Sequence, residues 1–121
     1  MMTPLKNIST SALIVLAFCY HVSGQSNALA ENYVQQAINF KKNMKPDSAI
    51  VYYEKASMEF NKLGNIEKLI DSYNQIGIIL TRQDQYELAK TYLNKALSTG
   101  LSTLDANNLD IATTYISQIG L

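Results

Sequence analysis

Residues Tyr73–Leu97 read YNQIGIILTRQDQYELAKTYLNKAL, and this stretch decides the fold. Leu69, Tyr73, Ile76, Gly77 and Leu80 recur at helical spacing, and so do Ala89, Leu93 and Ala96. The polar stretch Thr81–Gln85 separates the two patterns. That is the layout of two amphipathic helices joined by a tight turn. Gly77 costs about 1 kcal/mol against Ala inside a helix, so its place on the apolar stripe points to close approach of another backbone.

The turn residues set the expected boundaries. Asp84-Gln85-Tyr86-Glu87 has the form of a capping box, with Asp84 as cap and Glu87 three residues on. This predicts one helix over about 66–82 and a second over 85–99, stopped by Gly100. Upstream, Gly64-Asn65 is punctuation, a residue suited to a helix end followed by one suited to a cap. Pro46 fits the first turn of a helix over 46–63, with Ala49, Tyr53, Ala56 and Phe60 as its stripe. A helix over about 28–43 precedes it, carrying Tyr33, Ala37, Phe40 and Met44. After Gly100, Ser102 and Asp105 offer another capping box. A last helix starts as early as Thr103, with Ala112, Tyr115, Ile116 and Ile119 at helical spacing.

Shifted by 40 residues, the chain overlays on itself. Tyr33, Gln35, Ala37 and Ile38 fall on Tyr73, Gln75, Gly77 and Ile78. Ala49, Tyr52, Lys55 and Ala56 fall on Ala89, Tyr92, Lys95 and Ala96. Recurrence of small residues at fixed spacing marks a helical-hairpin repeat, in which each unit buries its apolar face only against its neighbours. The bland counterpart is an antiparallel helix bundle. Gln118-Ile119-Gly120-Leu121 echoes Gln75-Ile76-Gly77-Ile78 and reads as the middle of a third first helix. The expectation is therefore an N-terminal part of a longer protein; a terminal capping helix is the alternative.

At this point Ile76-Gly77, Leu80, Tyr86, Ala89, Leu93 and Ala96 resemble a tetratricopeptide repeat. Ala37, Phe40, Ala49, Tyr53 and Ala56 resemble a second, weaker copy. The resemblance implies an all-α right-handed solenoid of antiparallel hairpins, about two and a half repeats within residues 28–121. Repeat one covers about 30–65, repeat two 66–101 and a partial repeat three 103–121. The signature residues are Ala37, Ala49, Ala56, Gly77, Ala89 and Ala96, with Gly77 and Ala89 at the crowded contact between helices. The period of 40 exceeds the usual 34 of the family.

A stacked array of hairpins curves, and its first helices line the concave face. On that face the register places Gln35, Ile38, Lys41 and Lys42 of the first repeat. From the second come Asn74, Gln75, Ile78 and Arg82. Amide side chains offer a peptide backbone both donor and acceptor, and the three cations form a basic end. The competing reading is an ordinary solvated helix surface. Some family members grip a terminal carboxylate through a Lys/Asn/Arg clamp; Val34 stands where the first clamp Lys belongs, so that ligand is not expected.

Composition closes off other chemistry. The 121 residues carry no net charge, against the basic face that nucleic acid requires. The single Cys and single His are Cys19 and His21, both in the N-terminal segment, so no metal, no cofactor and no nucleophilic catalysis is expected. The carboxylate pair Glu67 and Asp71 reads as a solvated face, not an acid–base pair.

Residues 1–24 have the three-part form of a secretory signal: Lys6, an apolar core within Ile8–Tyr20, and the small residues Val22-Ser23-Gly24. Cleavage after Gly24 gives an exported protein. Retention as an anchor through residues 8–20 or lipidation at Cys19 are alternatives, and only an uncleaved segment brings a membrane into play.

The functional expectation is a non-enzymatic module binding a protein or peptide. Such arrays behind a signal-like N-terminus also resemble the N-terminal regions of sensor histidine kinases and of caspase-like CHAT-domain peptidases. There the stretch is a sensor or docking arm for a catalytic domain elsewhere. A structural spacer is the third reading.

Overall fold

A computed structural model describes residues 27–103 and Ser117. The signal segment, the cleavage point after Gly24, Cys19 and the third repeat beyond residue 103 lie outside the described residues, Ser117 apart. Residues 27–103 form four consecutive α-helices. α1 spans residues 27–42, α2 Pro46–Leu63, α3 Ile66–Arg82 and α4 Tyr86–Thr103. α2 and α3 occupy the spans read from the sequence.

Three turns of one design join them. Met44, Gly64 and Asp84 all have left-handed backbone, with φ of 57°, 67° and 60°. Their N–H groups donate to the carbonyls of Lys41, Asn61 and Thr81, and the next residues, Lys45, Asn65 and Gln85, donate to Phe40, Phe60 and Leu80. These two bonds make a Schellman motif, which satisfies carbonyls that the helix end leaves open. The following helices restart alike: Ala49, Leu69 and Ala89 donate back to Lys45, Asn65 and Gln85. The described stretch 27–103 is therefore built from 20-residue helix–turn units, and two of them make the 40-residue repeat. Equivalent core positions follow the same step: Ala56, Ile76 and Ala96 are buried, as are Phe60, Leu80 and Gly100.

Only the middle turn has glycine, at Gly64. Left-handed backbone costs a non-glycine residue about 1–2 kcal/mol. Asp tolerates it better than Met, and Met44 is 86% exposed, so it gains no packing in return. Met44→Gly is expected to stabilise the fold by about 0.5–1 kcal/mol, the relieved strain less the added freedom of the unfolded chain. A thermal melt checks it; an unchanged or lower midpoint contradicts this turn geometry.

Four expectations are corrected. Asp84 is not the cap of α4. It is the left-handed turn residue, and its carboxylate accepts a hydrogen bond from the Tyr86 hydroxyl at 2.6 Å, so the capping box with Glu87 does not form. Gly100 does not stop α4, which continues to Thr103. Gly100 is buried, as are Leu93 and Ala96 of the same helix. Ser102 has no capping role either: it lies inside α4 and donates to the Thr99 carbonyl. Met44 leaves the α1 stripe altogether, because the turn has already begun there.

The core sits where the hairpins meet. Ala37, Ala49, Tyr53, Ile76, Ile79, Leu80 and Ala89 form one cluster. A second joins Ala30, Ala56, Phe60 and Leu69, and Ile70 packs on Ala96 in a third. Each cluster takes residues from more than one hairpin or helix, as expected of units that cannot bury an apolar face alone. A Cβ built on Gly77 falls 2.5 Å from Leu93 Cδ2 and 2.6 Å from its Cγ. The crowded helix contact thus exists, but what approaches Gly77 is the Leu93 side chain and not the backbone that the sequence suggested. Among the described residues no helix is long and apolar enough to cross a membrane.

Candidate partner-binding face

The candidate face begins with why α1 and α3 lie together. Ala30 of α1 enters the same cluster as Leu69 of α3, and Ala37 enters that of Ile76. Around these contacts, polar groups tie the helices at two levels. Lys41 Nζ donates to Gln75 Oε1 at 3.2 Å, and Lys68 Nζ stands 3.5 Å from Glu31 Oε1. The second pair is largely exposed, so it contributes at most about 1 kcal/mol.

The eight candidate residues divide into three groups. Gln35, Lys42 and Arg82 are exposed. Ile38, Lys41, Gln75 and Ile78 are half-buried, and Lys41 and Gln75 are brought into direct contact. Asn74 departs from the expectation of an open groove residue. It is 1% exposed, and among the described residues neither Oδ1 nor Nδ2 has a hydrogen-bond partner. An unpaired buried amide costs about 1–3 kcal/mol. Lys42 and Arg82 close α1 and α3, where a cation also complements the negative end of the helix dipole. Thr81, which shares this side of α3, spends its hydroxyl on the Gly77 carbonyl at 2.8 Å. The six small signature residues, Ala37, Ala49, Ala56, Gly77, Ala89 and Ala96, are all buried and touch no solvent-borne ligand.

Two concavities were not anticipated. Gln36, Asn39, Phe40 and Asn43 line an open hollow of about 340 Å³ on α1. Glu54, Ser57, Met58, Tyr73, Tyr92 and Lys95 line one of about 260 Å³ beside α2 and α4. The sequence signal for the second was the 40-residue recurrence of Tyr52 with Tyr92 and Lys55 with Lys95, which by itself indicates packing.

That recurrence has a geometric counterpart. Tyr33 and Tyr52 rings lie 6.1 Å apart at 56°, and Tyr73 and Tyr92 lie 6.3 Å apart at 51°. Lys55 Nζ sits 5.8 and 4.6 Å from the first pair of ring centres, Lys95 Nζ 5.8 and 4.8 Å from the second. Each hairpin is thus clipped by a lysine over two tyrosine faces, a favourable cation–π arrangement. In the second hairpin the Tyr92 hydroxyl also donates to Glu54 Oε1 of the first. Burial, then that hydrogen bond and the carboxylate charge, push the Tyr92 hydroxyl up to about 12.

A raised tyrosine pKa means that the folded state favours the protonated form. The stabilisation is complete below the ordinary value near 10 and is lost as pH rises toward 12. Urea midpoints should therefore fall more steeply from pH 10 to pH 12 in the wild type than in Tyr92→Phe. Parallel slopes contradict the contact.

Among the described residues no group of three or more His, Cys, Asp or Glu is placed to hold a metal ion. Comparison with known proteins agrees with the helical geometry. Residues 70–99 match the family model described as Tetratricopeptide repeat. No curated protein and no solved structure matches the chain. The matched span contains α3 from Ile70 onward and most of α4. It includes the Gly77–Leu93 contact and buried Ala89 and Ala96. The α3–α4 hairpin is thus similar to a tetratricopeptide repeat, and the helices that precede it share its turn geometry.

Proposed function

We propose that the chain is a protein-interaction scaffold that receives a protein or peptide segment along the face shared by α1 and α3. Tetratricopeptide repeats are in general non-catalytic interaction modules, and the match over residues 70–99 supports that class. The observation that carries the choice of face is the Lys41–Gln75 contact. It joins α1 to α3, the two helices that carry exposed Gln35, Lys42 and Arg82 and half-buried Ile38 and Ile78. Amides there can meet a peptide backbone, isoleucines an apolar side chain, and the end cations an acidic one.

Photocrosslinkers placed at Gln35 and Ile78, with Lys62 as control, test the reading. Capture of a discrete partner from the first two positions alone supports it. Equal capture from Lys62, or capture at no position, overturns it. As to location, we propose export with removal of residues 1–24, supported by the signal-like layout around Lys6 and Ile8–Tyr20. N-terminal sequencing of the protein made in its own cells tests this, and retained Met1 contradicts it.

A further inference from the structure

We propose that the cleft beside α2 and α4 is a site for one zwitterionic molecule of amino-acid type, with an aromatic or branched apolar body. Its volume of about 260 Å³ suits a single small molecule and falls below the range of larger ligands.

The charges within it carry the inference. Glu54 accepts from the Tyr92 hydroxyl through Oε1. Among the described residues the ion pairs are Lys62–Glu59 and Lys68–Glu31, so the Glu54 carboxylate has no cationic partner. Lys95 has no carboxylate partner either; its ammonium lies over the Tyr73 and Tyr92 rings. Two opposite charges therefore line one cleft without pairing to each other. A ligand ammonium complements Glu54, and a ligand carboxylate complements Lys95, which keeps its N–H donors while resting on the rings. The tilted tyrosine pair and Met58, 60% exposed, supply the apolar wall between them.

The first hairpin is an internal control. Tyr33, Tyr52 and Lys55 reproduce the clip almost to the ångström, so the clip is architectural. What the second hairpin adds is Glu54, contributed by its neighbour. The site is thus a product of stacking, separate from the α1–α3 face and independent of the scaffold reading.

The test is a ¹H–¹⁵N NMR titration of the chain with L-phenylalanine. Phenethylamine, 3-phenylpropionate and benzyl alcohol serve as analogues lacking one charge, the other, or both. The expected result is millimolar binding with shifts centred on Glu54, Met58, Tyr92 and Lys95. Each single-charge analogue should bind about tenfold more weakly. Glu54→Gln should weaken L-phenylalanine and leave 3-phenylpropionate unchanged. The wild-type analogue series stands even where the variant fails to fold. Absence of shifts with L-phenylalanine, equal binding of benzyl alcohol, or shifts confined to the α1–α3 face each overturn the proposal.

Discussion

Gly77→Val is expected to destabilise the chain by about 3 kcal/mol, the upper end of the usual penalty for overpacking a core. Helix propensity alone predicts the opposite sign, since glycine is the poorer helix former. Packing wins because a Cβ at this position falls 2.5 and 2.6 Å from Leu93 Cδ2 and Cγ. Leu93 is fully buried, so it has no open space into which to turn. Valine adds two further methyl groups to a site that does not hold the first. Leu93→Ala alone should cost about 2–5 kcal/mol. The double variant should be more stable than the sum of the two losses, because the removed leucine leaves room for the valine. Urea denaturation of the four proteins measures this coupling. Simple additivity is the outcome that contradicts the close approach of α3 and α4.

Phe60→Ala is expected to have the largest effect of a simple deletion, about 3–5 kcal/mol. Phe60 is fully buried with Ala30, Ala56 and Leu69, at the joint where α1, α2 and α3 meet. Removing its ring empties the contact between hairpins, and not merely one face of a helix. Met58, two residues away and 60% exposed, provides the comparison: Met58→Ala should stay within about 0.5 kcal/mol. Similar urea midpoints for the two variants contradict the stacking described here.

Much of this architecture is legible in the sequence because its signals are local. Pro46 at a first turn and Gly64-Asn65 between two stripes are read without knowing the fold, and α2 and α3 start and stop where those residues say. Other signals are ambiguous at short range. Asp84 is a good N-cap and also one of the few residues that tolerates a left-handed turn; the Schellman bonds to Thr81 and Leu80 decide for the turn. Met44 gives no hint of the same geometry, so the 20-residue unit is hidden behind the 40-residue repeat. Gly100 looks like a stop, since glycine commonly follows a helix, but α4 runs through it to Thr103 and buries it.

The candidate face divides along the same line. Helical register assigns Gln35, Lys42 and Arg82 to the candidate concave face, and they are exposed. Asn74 belongs to the same register, yet its burial depends on what packs around α3, which periodicity does not encode. The cleft at Glu54 and Lys95 needs two hairpins in place before its residues meet. Its tyrosines and lysines are visible as repeats, but the carboxylate that changes their chemistry comes from the neighbouring unit.

The central claim is that 20-residue helix–turn units stack as antiparallel hairpins. A NOESY spectrum of the assigned chain tests it most directly. The expected result is the strong intraresidue NH–Hα signature of positive φ at Met44, Gly64 and Asp84, together with contacts from the Gly77 Hα protons to the Leu93 methyl groups. Unbroken helical connectivity through Met44 and Asp84, with no Gly77–Leu93 contact, would contradict it.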